Sequence, residues 1–540
     1  MASTMGITER KRKSRTVHNL NIFLKIPADN RNCGYFFVYP LENVAFLPLF
    51  RYNNKKELTL PQKSSKSKWN KIKNIVRMEE TMYQIDFHKP ENIHFIGIGG
   101  ISMSGLAEIL IDEGFTVSGS DSHESELTDH LAAKGARIAC GQSADNIVDG
   151  IDVVVYTAAV HPDNPEFAAA RDKGLPMLSR AELLGQMMKN YENAVAVSGT
   201  HGKTTTTSMI TEILLAADAD PTISVGGILN SIGGNIRVGG PELFVTEACE
   251  YTNSFLSFFP TIEVILNVEA DHLDFFKDLD DIRHSFRLFA EKLPEDGILV
   301  INSDITDYRK ITEGLSCRVI TFGKEEGSKY RAEHIRFDEL ARPVFDLSVD
   351  GEIVDTVALG VPGEHNVYNS LAAVAVCTEL GISQEMIRKG LWNFTGTNRR
   401  FEKKGELGGV TIIDDYAHHP QEISASLATA LNYPHQKLWV VFQPHTYTRT
   451  RAFLDEFAEA LSMADEVILA DIYAARETDN LGISSKDIVD RIEAKGVKAH
   501  YIPSFDEIET FILENCIHGD LLITMGAGDI VKVGEKLLGK

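Results

Sequence analysis

Three α/β units in series are the architecture that the sequence predicts from about residue 92 onward. Short apolar runs alternate with segments of helical periodicity, a pattern typical of parallel sheets covered by helices. Many of these runs end in glycine or in charged residues, as expected where strands reach the ligand-binding edge of such a sheet. We predict a Rossmann-like domain at 82–189, a central parallel-sheet domain of the phosphate-loop ATPase type at 190–396, and a second Rossmann-like domain at 397–540.

Charge and cysteine usage exclude several classes of protein. The chain of 540 residues carries a formal net charge of −23, which argues against a nucleic-acid partner. Its six scattered cysteines form no C-x-x-C pair, so neither a zinc site nor a disulfide framework is predicted. No run of about 18 apolar residues occurs, and we predict no stable membrane insertion and a reducing, cytoplasmic location.

Residues 1–81 differ from the rest because they hold 16 Lys and Arg against 6 Asp and Glu. They lack the clean apolar core and the small-residue cleavage site of a signal peptide. One interpretation is an arm that touches a membrane or a nucleic acid. We favour a disordered or non-native extension, with Met82 as the functional start, because the α/β pattern begins within ten residues of it.

A glycine turn follows the first strand, which is predicted at 93–98, and leads into a helix. The turn resembles a dinucleotide fingerprint, with Asp121 at the ribose position, but Ser102 replaces the third glycine and makes the case for NAD weak. We predict instead a pyrophosphate-bearing ligand at this helix N-terminus. The candidate binding residues of the first unit are Gly99, Gly100, Ser104 and Asp121.

The central unit begins with a strand, a glycine turn and a helix, which together predict a phosphate-binding loop. Apolar residues 194–197 form the strand, and a helix-compatible run extends from 204 to about 217. The Lys203 ammonium is placed to reach terminal phosphates, and the Thr204 hydroxyl to bind Mg²⁺. Val197 stands where the strict motif has glycine, so this loop is shorter. The predicted ATP-binding residues here are Gly199, Thr200, His201, Gly202, Lys203, Thr204 and Thr205.

Acidic clusters follow the next two apolar strands. Glu247 and Glu250 follow a strand predicted at 243–246, and His272 lies in an acidic segment after the strand at 264–267. Carboxylates at the ends of neighbouring parallel strands are well placed to hold Mg²⁺ over phosphates. Imidazole is a poor ligand for Mg²⁺, so from the residues alone a structural role for His272 is a simpler interpretation than metal binding.

Two amides precede the apolar helix predicted at 371–380. Asn366 and Asn369 lie three residues apart, so a helical first turn would place both side chains on one face. Ordinary helix capping is an equally simple interpretation of the same residues.

Strands of the last unit also end in polar residues. The strand predicted at 410–413 runs into Asp415 and Tyr416, and the strand at 438–442 leads to His445. This pattern predicts a third α/β unit with its own ligand-facing edge. Its arginines suit phosphate or carboxylate, although each is equally compatible with a solvated surface; they are Arg399, Arg400, Arg449 and Arg451.

Seven motifs, in order over about 450 residues, resemble those of the Mur ligases, and in particular the branch that adds alanine. They are HFIGIGGISMSG at 94–105, SGTHGKTTT at 198–206, NVEADH at 267–272, GEHN at 363–366 with Asn369, TNRRF at 397–401, DDYAHHP at 414–420 and FQPHTYTRTR at 442–451. The resemblance implies a three-domain cytoplasmic enzyme of peptidoglycan synthesis. Residues 1–81 lie outside it.

The resemblance also implies a role for each matching residue. The first domain would bind the UDP of a sugar substrate, the central domain ATP and Mg²⁺, and the third the amino acid. Lys203 would contact the ATP phosphates, while Thr204, Glu247 and His272 would serve the metal. The residues that would position ATP are Asn366, Asn369, Arg400 and Asp415. Those near the sugar carboxylate and the incoming alanine would be Tyr416, His418, His445 and Arg449.

The implied reaction joins L-alanine to the lactyl carboxylate of UDP-N-acetylmuramate, with ATP phosphorylating the carboxylate and the amine displacing phosphate. The attacking amine must be neutral, so a base is needed, and His418 is our candidate. A homodimer is compatible with the sequence. One alternative is a related ligase that attaches a recycled murein peptide to the same sugar. An NAD-dependent oxidoreductase is disfavoured by the incomplete fingerprint, and a non-catalytic scaffold by the full set of charged site residues.

Overall fold

Three β-sheets with flanking helices carry most of the chain that the structure describes. The structure is a computed structural model and describes residues 82–157, 159–273, 275–475 and 477–540. Within residues 1–81 it describes only the backbone of two antiparallel pairs of short strands: Phe23–Lys25 with Tyr35–Phe37, and Arg51–Tyr52 with Leu58–Thr59. The extension predicted at 1–81 otherwise lies outside the described residues, so its disorder and the start at Met82 stay predictions.

The first sheet is wholly parallel, as expected of a Rossmann-like domain. Numbered along the chain, its strands lie in the order 3-2-1-4-5. The order reverses between the first and fourth strands, and ligands bind at such a switch point. The strands are Asn92–Ile96, Thr116–Asp121, Arg137–Cys140, Val153–Tyr156 and Met177–Ser179. The helices are Ile101–Asp112, Glu126–Ala133, Pro165–Asp172 and Arg180–Met188, with a 3-10 turn at Ala144–Asn146.

The central sheet has ten strands in the order 3-2-4-1-5-6-7-8-9-10. Its middle is parallel, as predicted, but its last three strands pair antiparallel with one another. The sequence did not predict these three, because charged residues interrupt them and the first and third bury few of their residues, so none carries a continuous apolar run. The strands are Asn193–Ser198, Thr222–Leu229, Gly234–Arg237, Leu243–Glu247, Ile262–Ile265, Ile298–Asn302, Arg318–Phe322, Tyr330–Phe337, Pro343–Val349 and Glu352–Ala358. The helices are Lys203–Ala216, Leu279–Ala290, Arg309–Thr312, His365–Glu379 and Gln384–Asn393, with 3-10 turns at Asn230–Ile232 and Tyr251–Ser257.

The position of the phosphate loop follows from strand pairing in this sheet. Strand Asn193–Ser198 lies between Leu243–Glu247 and Ile262–Ile265, and all three run parallel. Their carboxyl ends therefore meet at one edge, and the segments that follow them are brought together there. Apolar side chains such as Val195 and Val264 are fully buried and hold the three strands in the core.

The third sheet has six strands in the order 1-2-6-3-4-5, with only its first strand antiparallel. The strands are Glu402–Leu407, Val410–Asp415, Leu438–Phe442, Glu466–Leu469, Lys498–Tyr501 and Leu521–Met525. The helices are Pro420–Leu431, Tyr447–Ala452, Leu454–Leu461, Ser485–Ala494, Phe505–Asn515 and Val531–Leu537. In the described part of the chain, no helix combines the length and apolarity needed to cross a membrane. The three sheets fall within the predicted ranges, and the boundary residues themselves stay predictions.

Glycines let two helices of the first domain pack closely against strand Gly234–Arg237 and the 3-10 turn Tyr251–Ser257 of the central domain. A Cβ atom at Gly105, in helix Ile101–Asp112, would overlap the side chain of Ile236. A Cβ atom at Gly185, in helix Arg180–Met188, would overlap the carbonyl group of Ser257. Both contacts join segments far apart in the chain, so the glycines set how closely the two sheets approach each other.

We expect Gly105→Ala to lower the free energy of unfolding by about 1–3 kcal/mol, because the added methyl group meets a packed isoleucine. Urea titration measures this. The double variant with Ile236→Ala should recover part of the loss, since it removes the overlapping atoms. The matched control is Gly234→Ala, where an added Cβ meets no atom within 4 Å. A Gly105→Ala protein as stable as the parent would contradict the close contact.

Candidate active site

The loop after strand Asn193–Ser198 folds as the glycine pattern predicts. Gly199 and Gly202 adopt φ values of +135° and +84°, which favour glycine over any residue with a side chain. A Cβ at Gly199 would also lie 2.9 Å from Leu266 Cβ, and one at Gly202 would lie 2.5 Å from Asn369 Oδ1. Helix Lys203–Ala216 begins at the next residue, so the backbone N–H groups of its first turn point into the site.

Lys203 is anchored at this helix start. Its ammonium donates to the carbonyl oxygens of Gly199 at 2.5 Å and Thr200 at 3.1 Å, and to Glu250 Oε2 at 3.0 Å. Burial alone would lower the pKa of Lys203, but the Glu250 carboxylate outweighs it and raises the pKa above its usual value. The lysine is therefore a fixed positive charge beside the phosphate loop.

Glu250 was predicted only as part of an acidic cluster, without a role of its own, and the structure places it in the site. Its side chain is 3% exposed, and it lies between the Lys203 ammonium and His272, whose Nε2 is 4.0 Å from Glu250 Oε1. His272 adopts a φ of +53°, and its ring lies 4.4 Å from that of Tyr251. The sequence feature that could have identified Glu250 is its place as the second carboxylate of the acidic cluster that follows strand Leu243–Glu247. Sequence alone gave no reason to prefer it over Glu247.

The Glu247 side chain contacts the first turn of helix Lys203–Ala216 through Thr204 rather than through Lys203. Its Oε2 accepts a hydrogen bond from the Thr204 hydroxyl at 3.1 Å, and its other oxygen accepts one from the Gly226 amide. Among the described residues no three His, Cys, Asp or Glu side chains converge as a preformed metal site. The arrangement fits Mg²⁺ all the same, because Mg²⁺ takes one or two carboxylates and fills its remaining positions with phosphate oxygens and water.

A cavity of about 350 Å³ extends from the phosphate loop toward the third sheet. Its lining includes seven of the predicted ATP-binding residues: His201, Gly202, Thr205, Asn366, Asn369, Arg400 and Asp415. The Asn369 amide donates to Asn366 Oδ1 at 3.0 Å, and the Asn366 amide donates to Pro362 O at 2.7 Å. The two side chains are therefore in contact on one face of helix His365–Glu379, and neither caps it with a side-chain hydrogen bond.

Adjacent arginines at the cavity have different environments. Arg399 is held by the buried Asp414, with Nε 2.9 Å from Oδ2, and it also donates to Gly526 O at 2.7 Å. Among the described ion pairs, Arg400 meets Glu422 at 4.0 Å, and its guanidinium lies 5.4 Å from the Tyr416 ring. Of the two, Arg400 is thus the one whose charge faces the cavity. Arg451 is exposed.

Asp415 lies deep in the same cavity. Burial raises its pKa to about 6, although a hydrogen bond from the Ser426 hydroxyl at 2.5 Å favours the ionised form. The carboxylate also accepts the backbone amides of Phe401 at 3.2 Å and Ala417 at 2.8 Å. It therefore shapes the loop after strand Val410–Asp415 as well as lining the cavity.

A cluster from the third sheet meets the central sheet beside His272. Arg449 Nη2 lies 3.0 Å from Asp271 Oδ1, although 178 residues separate them in the chain. Arg449 Nη1 also lies 3.4 Å from His445 Nδ1, and the rings of His445 and His418 are 5.8 Å apart. Burial lowers the pKa of both histidines, that of His445 to about 4, and Arg449 adds to the effect. Both rings are therefore neutral near pH 7.

A second cross-link joins the phosphate loop itself to the third sheet. His201 Nδ1 lies 3.2 Å from Glu422 Oε1, and its Nε2 lies 3.3 Å from Glu269 Oε2. Burial opposes a charge on His201, but the two carboxylates outweigh it and raise the pKa to about 9. His201 is therefore an imidazolium that links the two sheets across the cavity.

This pKa predicts a pH dependence of stability. A histidine whose pKa rises from 6.5 to about 9 on folding stabilises the native state fully below about pH 6.5, and the effect is lost as the pH passes 9. We expect a contribution of up to about 3 kcal/mol. Chemical unfolding at several pH values should show this loss in the parent and a flatter profile in His201→Gln. Identical profiles for the two proteins would contradict the assignment.

The predicted residues of the first sheet lie at its switch point. Asp121 Oδ2 accepts the Gly99 amide at 2.9 Å, and the Gly100 amide donates to Gly97 O at 3.2 Å. The Ser104 hydroxyl donates to Ile101 O at 3.0 Å and is buried within its helix. Asp121 therefore braces the glycine turn, and a ligand role for these residues stays a prediction.

Comparison with known proteins identifies the relatives of this chain. Three sequence models match in order: "Mur ligase family, catalytic domain" over residues 92–192, "Mur ligase middle domain" over 197–377, and "Mur ligase, glutamate ligase domain" over 399–528. A UDP-N-acetylmuramate–L-alanine ligase of Lachnospira eligens is 65% identical over 458 residues, covering 85% of this chain and all of the relative. One from Caldanaerobacter subterraneus is 50% identical over 455 residues, covering 84% of this chain and 99% of the relative.

Solved structures agree with these matches. The crystal structure of a UDP-N-acetylmuramate–alanine ligase from Thermotoga maritima is 32% identical, with a TM-score of 0.69, over 83% of this chain and 98% of that one. A murein peptide ligase from Psychrobacter arcticus shares the fold with a TM-score of 0.61 at 24% identity, over 83% of this chain and 98% of that one.

The fold and the site together define a three-domain α/β enzyme built around a phosphate-binding loop. This chain belongs to the Mur ligase family. The fold class and the family predicted from the sequence are thereby confirmed.

Proposed function

We propose that this protein joins L-alanine to the lactyl carboxylate of UDP-N-acetylmuramate at the expense of ATP, in the synthesis of peptidoglycan precursors. The observation that carries the proposal is the contact between Asp271 and Arg449. It brings Lys203, Glu250 and His272 of the central sheet to the same place as His418 and His445 of the third. We therefore propose that one site holds both the groups suited to phosphoryl transfer and the groups suited to binding a carboxylate and an amine.

The chemistry needs both ends because a carboxylate does not react with an amine at neutral pH. An oxygen of the lactyl carboxylate attacks the γ-phosphorus of ATP, and the bond to ADP breaks. The alanine nitrogen then attacks the acyl carbon, and the bond to phosphate breaks with its electron pair. Lys203 neutralises charge on the phosphoryl oxygens, and Arg449 is placed to hold a carboxylate.

Mg²⁺ is part of the proposal. The resemblance assigns Thr204, Glu247 and His272 to the ion. From the contacts we revise this prediction: Glu250, His272 and the Thr204 hydroxyl would hold it, and Glu247 would orient that hydroxyl through its 3.1 Å hydrogen bond. When bound, the ion supplies positive charge to the phosphates. The buried Glu250 carboxylate supports the proposal, because the site otherwise holds it only against Lys203 and the distant His272.

Nucleotide and sugar are assigned to different parts of the molecule. We place the nucleoside of ATP in the cavity lined by Asn366, Asn369 and Arg400, and the UDP of the sugar at the switch point beside Gly99 and Asp121. A cytoplasmic location follows from the nature of both substrates. A homodimer stays a prediction that light scattering would test.

Phosphate release from a panel of amines tests the proposed function. With ATP and UDP-N-acetylmuramate present, L-alanine should support turnover, whereas a murein tripeptide should not. The curated relatives with 50–65% identity are named alanine ligases, and this favours the amino acid over the peptide. Release that depends on the tripeptide, or that needs neither sugar nor amine, would contradict the proposal.

A further inference from the structure

The carboxylate of Glu422 contacts two histidines that belong to different domains. It lies in the first turn of helix Pro420–Leu431. Its Oε1 faces His201 Nδ1 of the phosphate loop at 3.2 Å, and its Oε2 lies 3.3 Å from His418 Nδ1. Oε2 also accepts the backbone amides of His418 at 3.0 Å and His419 at 3.2 Å. The sequence analysis did not identify Glu422 as a site residue.

The neighbours of His418 determine which of its nitrogens carries the proton. Its Nδ1 faces Tyr416 O at 3.0 Å and Glu422 Oε2 at 3.3 Å. Both of these atoms only accept hydrogen bonds, so Nδ1 of the neutral ring must be the N–H donor. The lone pair then lies on Nε2, which is the nitrogen able to take up a proton.

His445 has the opposite tautomer. Its Nδ1 lies 3.4 Å from Arg449 Nη1, and a guanidinium only donates hydrogen bonds. Nδ1 is therefore the acceptor, and Nε2 carries the proton. Of the two neutral histidines whose rings are 5.8 Å apart, only His418 offers a free lone pair at Nε2. The Glu422 and Tyr416 oxygens are what distinguish His418 from its neighbour.

We propose that Glu422 is a positioning residue that, together with the Tyr416 carbonyl, holds Nδ1 of His418 as the N–H donor and so leaves Nε2 to take up a proton from the alanine ammonium, and that it links this histidine to the phosphate loop through His201. The inference rests on the proposed function. In the step concerned, the ammonium gives a proton to His418 Nε2 and keeps the electron pair. That pair then forms the C–N bond as the C–O bond to phosphate breaks, and the second proton lost by the nitrogen goes to the released phosphate.

Charged and titratable groups face this pair from every side. Around His418 they are Glu422, Tyr416, His445, Arg449 and Asp271; around Glu422 they are His201, His419, Arg400 and Asp415. The cations His201 and Arg400 keep Glu422 ionised, and its negative charge opposes that of Arg449 at His418. Removing this charge should weaken His418 as a base as well as release its orientation.

Glu422→Gln tests the proposal, because the glutamine oxygen can still accept the two backbone amides. Rapid-quench analysis of the first turnover, with ATP, UDP-N-acetylmuramate and L-alanine, separates ADP formation from amide formation. We expect ADP to form within about threefold of the parent rate, while the amide forms about 10–100-fold more slowly. The deficit should shrink as the pH is raised and more alanine becomes neutral.

Comparison variants distinguish positioning from a general structural effect. Glu269→Gln also removes a partner of His201 but none of His418, and it should show no delay between ADP and amide. Combined with His418→Gln, Glu422→Gln should add little further loss in amide formation. Equal slowing of ADP and amide, or no slowing of either, would overturn the proposal. A parent enzyme that forms no alanine amide would instead overturn the proposed function.

Discussion

Lys203→Ala is expected to reduce alanine-dependent phosphate release by about a thousandfold or more, equivalent to about 4 kcal/mol of transition-state stabilisation. The reason is positional as well as electrostatic. Two loop carbonyls and Glu250 hold the ammonium at the start of helix Lys203–Ala216, so its positive charge is fixed beside the loop. Steady-state phosphate assays measure the loss.

Binding of UDP-N-acetylmuramate should survive the same substitution, because the sugar nucleotide is assigned to the first domain. Calorimetric titration of the variant would establish this and would also show that it is folded. The variant leaves Glu250 buried without its partner, so its unfolding should be measured in parallel. Lys277→Ala is the matched control, since that lysine is 85% exposed on the segment after His272. Turnover within about tenfold of the parent would contradict the role of Lys203.

Glu250→Gln is expected to lower turnover by about 100- to 1,000-fold, with little recovery at raised Mg²⁺. Glu250 is buried against Lys203, and its Oε1 lies 4.0 Å from His272 Nε2. Glutamine keeps the shape of the side chain but removes the charge that would hold the metal and fix the lysine. Phosphate release measured over a range of Mg²⁺ concentrations gives both the loss of turnover and the extent to which Mg²⁺ restores it.

Glu247→Gln provides the matched comparison, since the two glutamates follow the same strand. Glu247 accepts hydrogen bonds from Thr204 and from the Gly226 amide, so its loss should disturb the metal only through Thr204. We expect a smaller decrease that raised Mg²⁺ partly reverses. A larger loss for Glu247→Gln than for Glu250→Gln would mean that Glu247 is the principal metal ligand.

Much of the site could be predicted from the sequence because local chemistry determines it. The apolar run before Gly199, the glycines with positive φ and the helix that starts at Lys203 are all short-range features. Asn366 and Asn369 share a helix face for the same reason, and the structure confirms their contact. The antiparallel strands at 330–358 were missed because charged residues interrupt their apolar positions and the first and third of them bury few residues, so no clear alternation or apolar run marks them.

Choices between similar residues needed the tertiary structure. The sequence treats Arg399 and Arg400 alike, yet Asp414 binds Arg399 and leaves Arg400 facing the cavity. The resemblance selects Glu247 for the metal, whereas in the structure it is Glu250 that lies against Lys203. Such distinctions depend on which neighbours a side chain meets, and those neighbours come from other strands.

The sequence by itself determined the three α/β units, the phosphate loop and the family, because these depend on residue type at fixed spacing along one stretch of chain. Only the tertiary structure decided that Asp271 meets Arg449, across 178 residues, and that His201 meets Glu422, across 221. Both pairs join residues of different domains. Such contacts depend on how whole sheets pack against one another, and no local pattern encodes that packing.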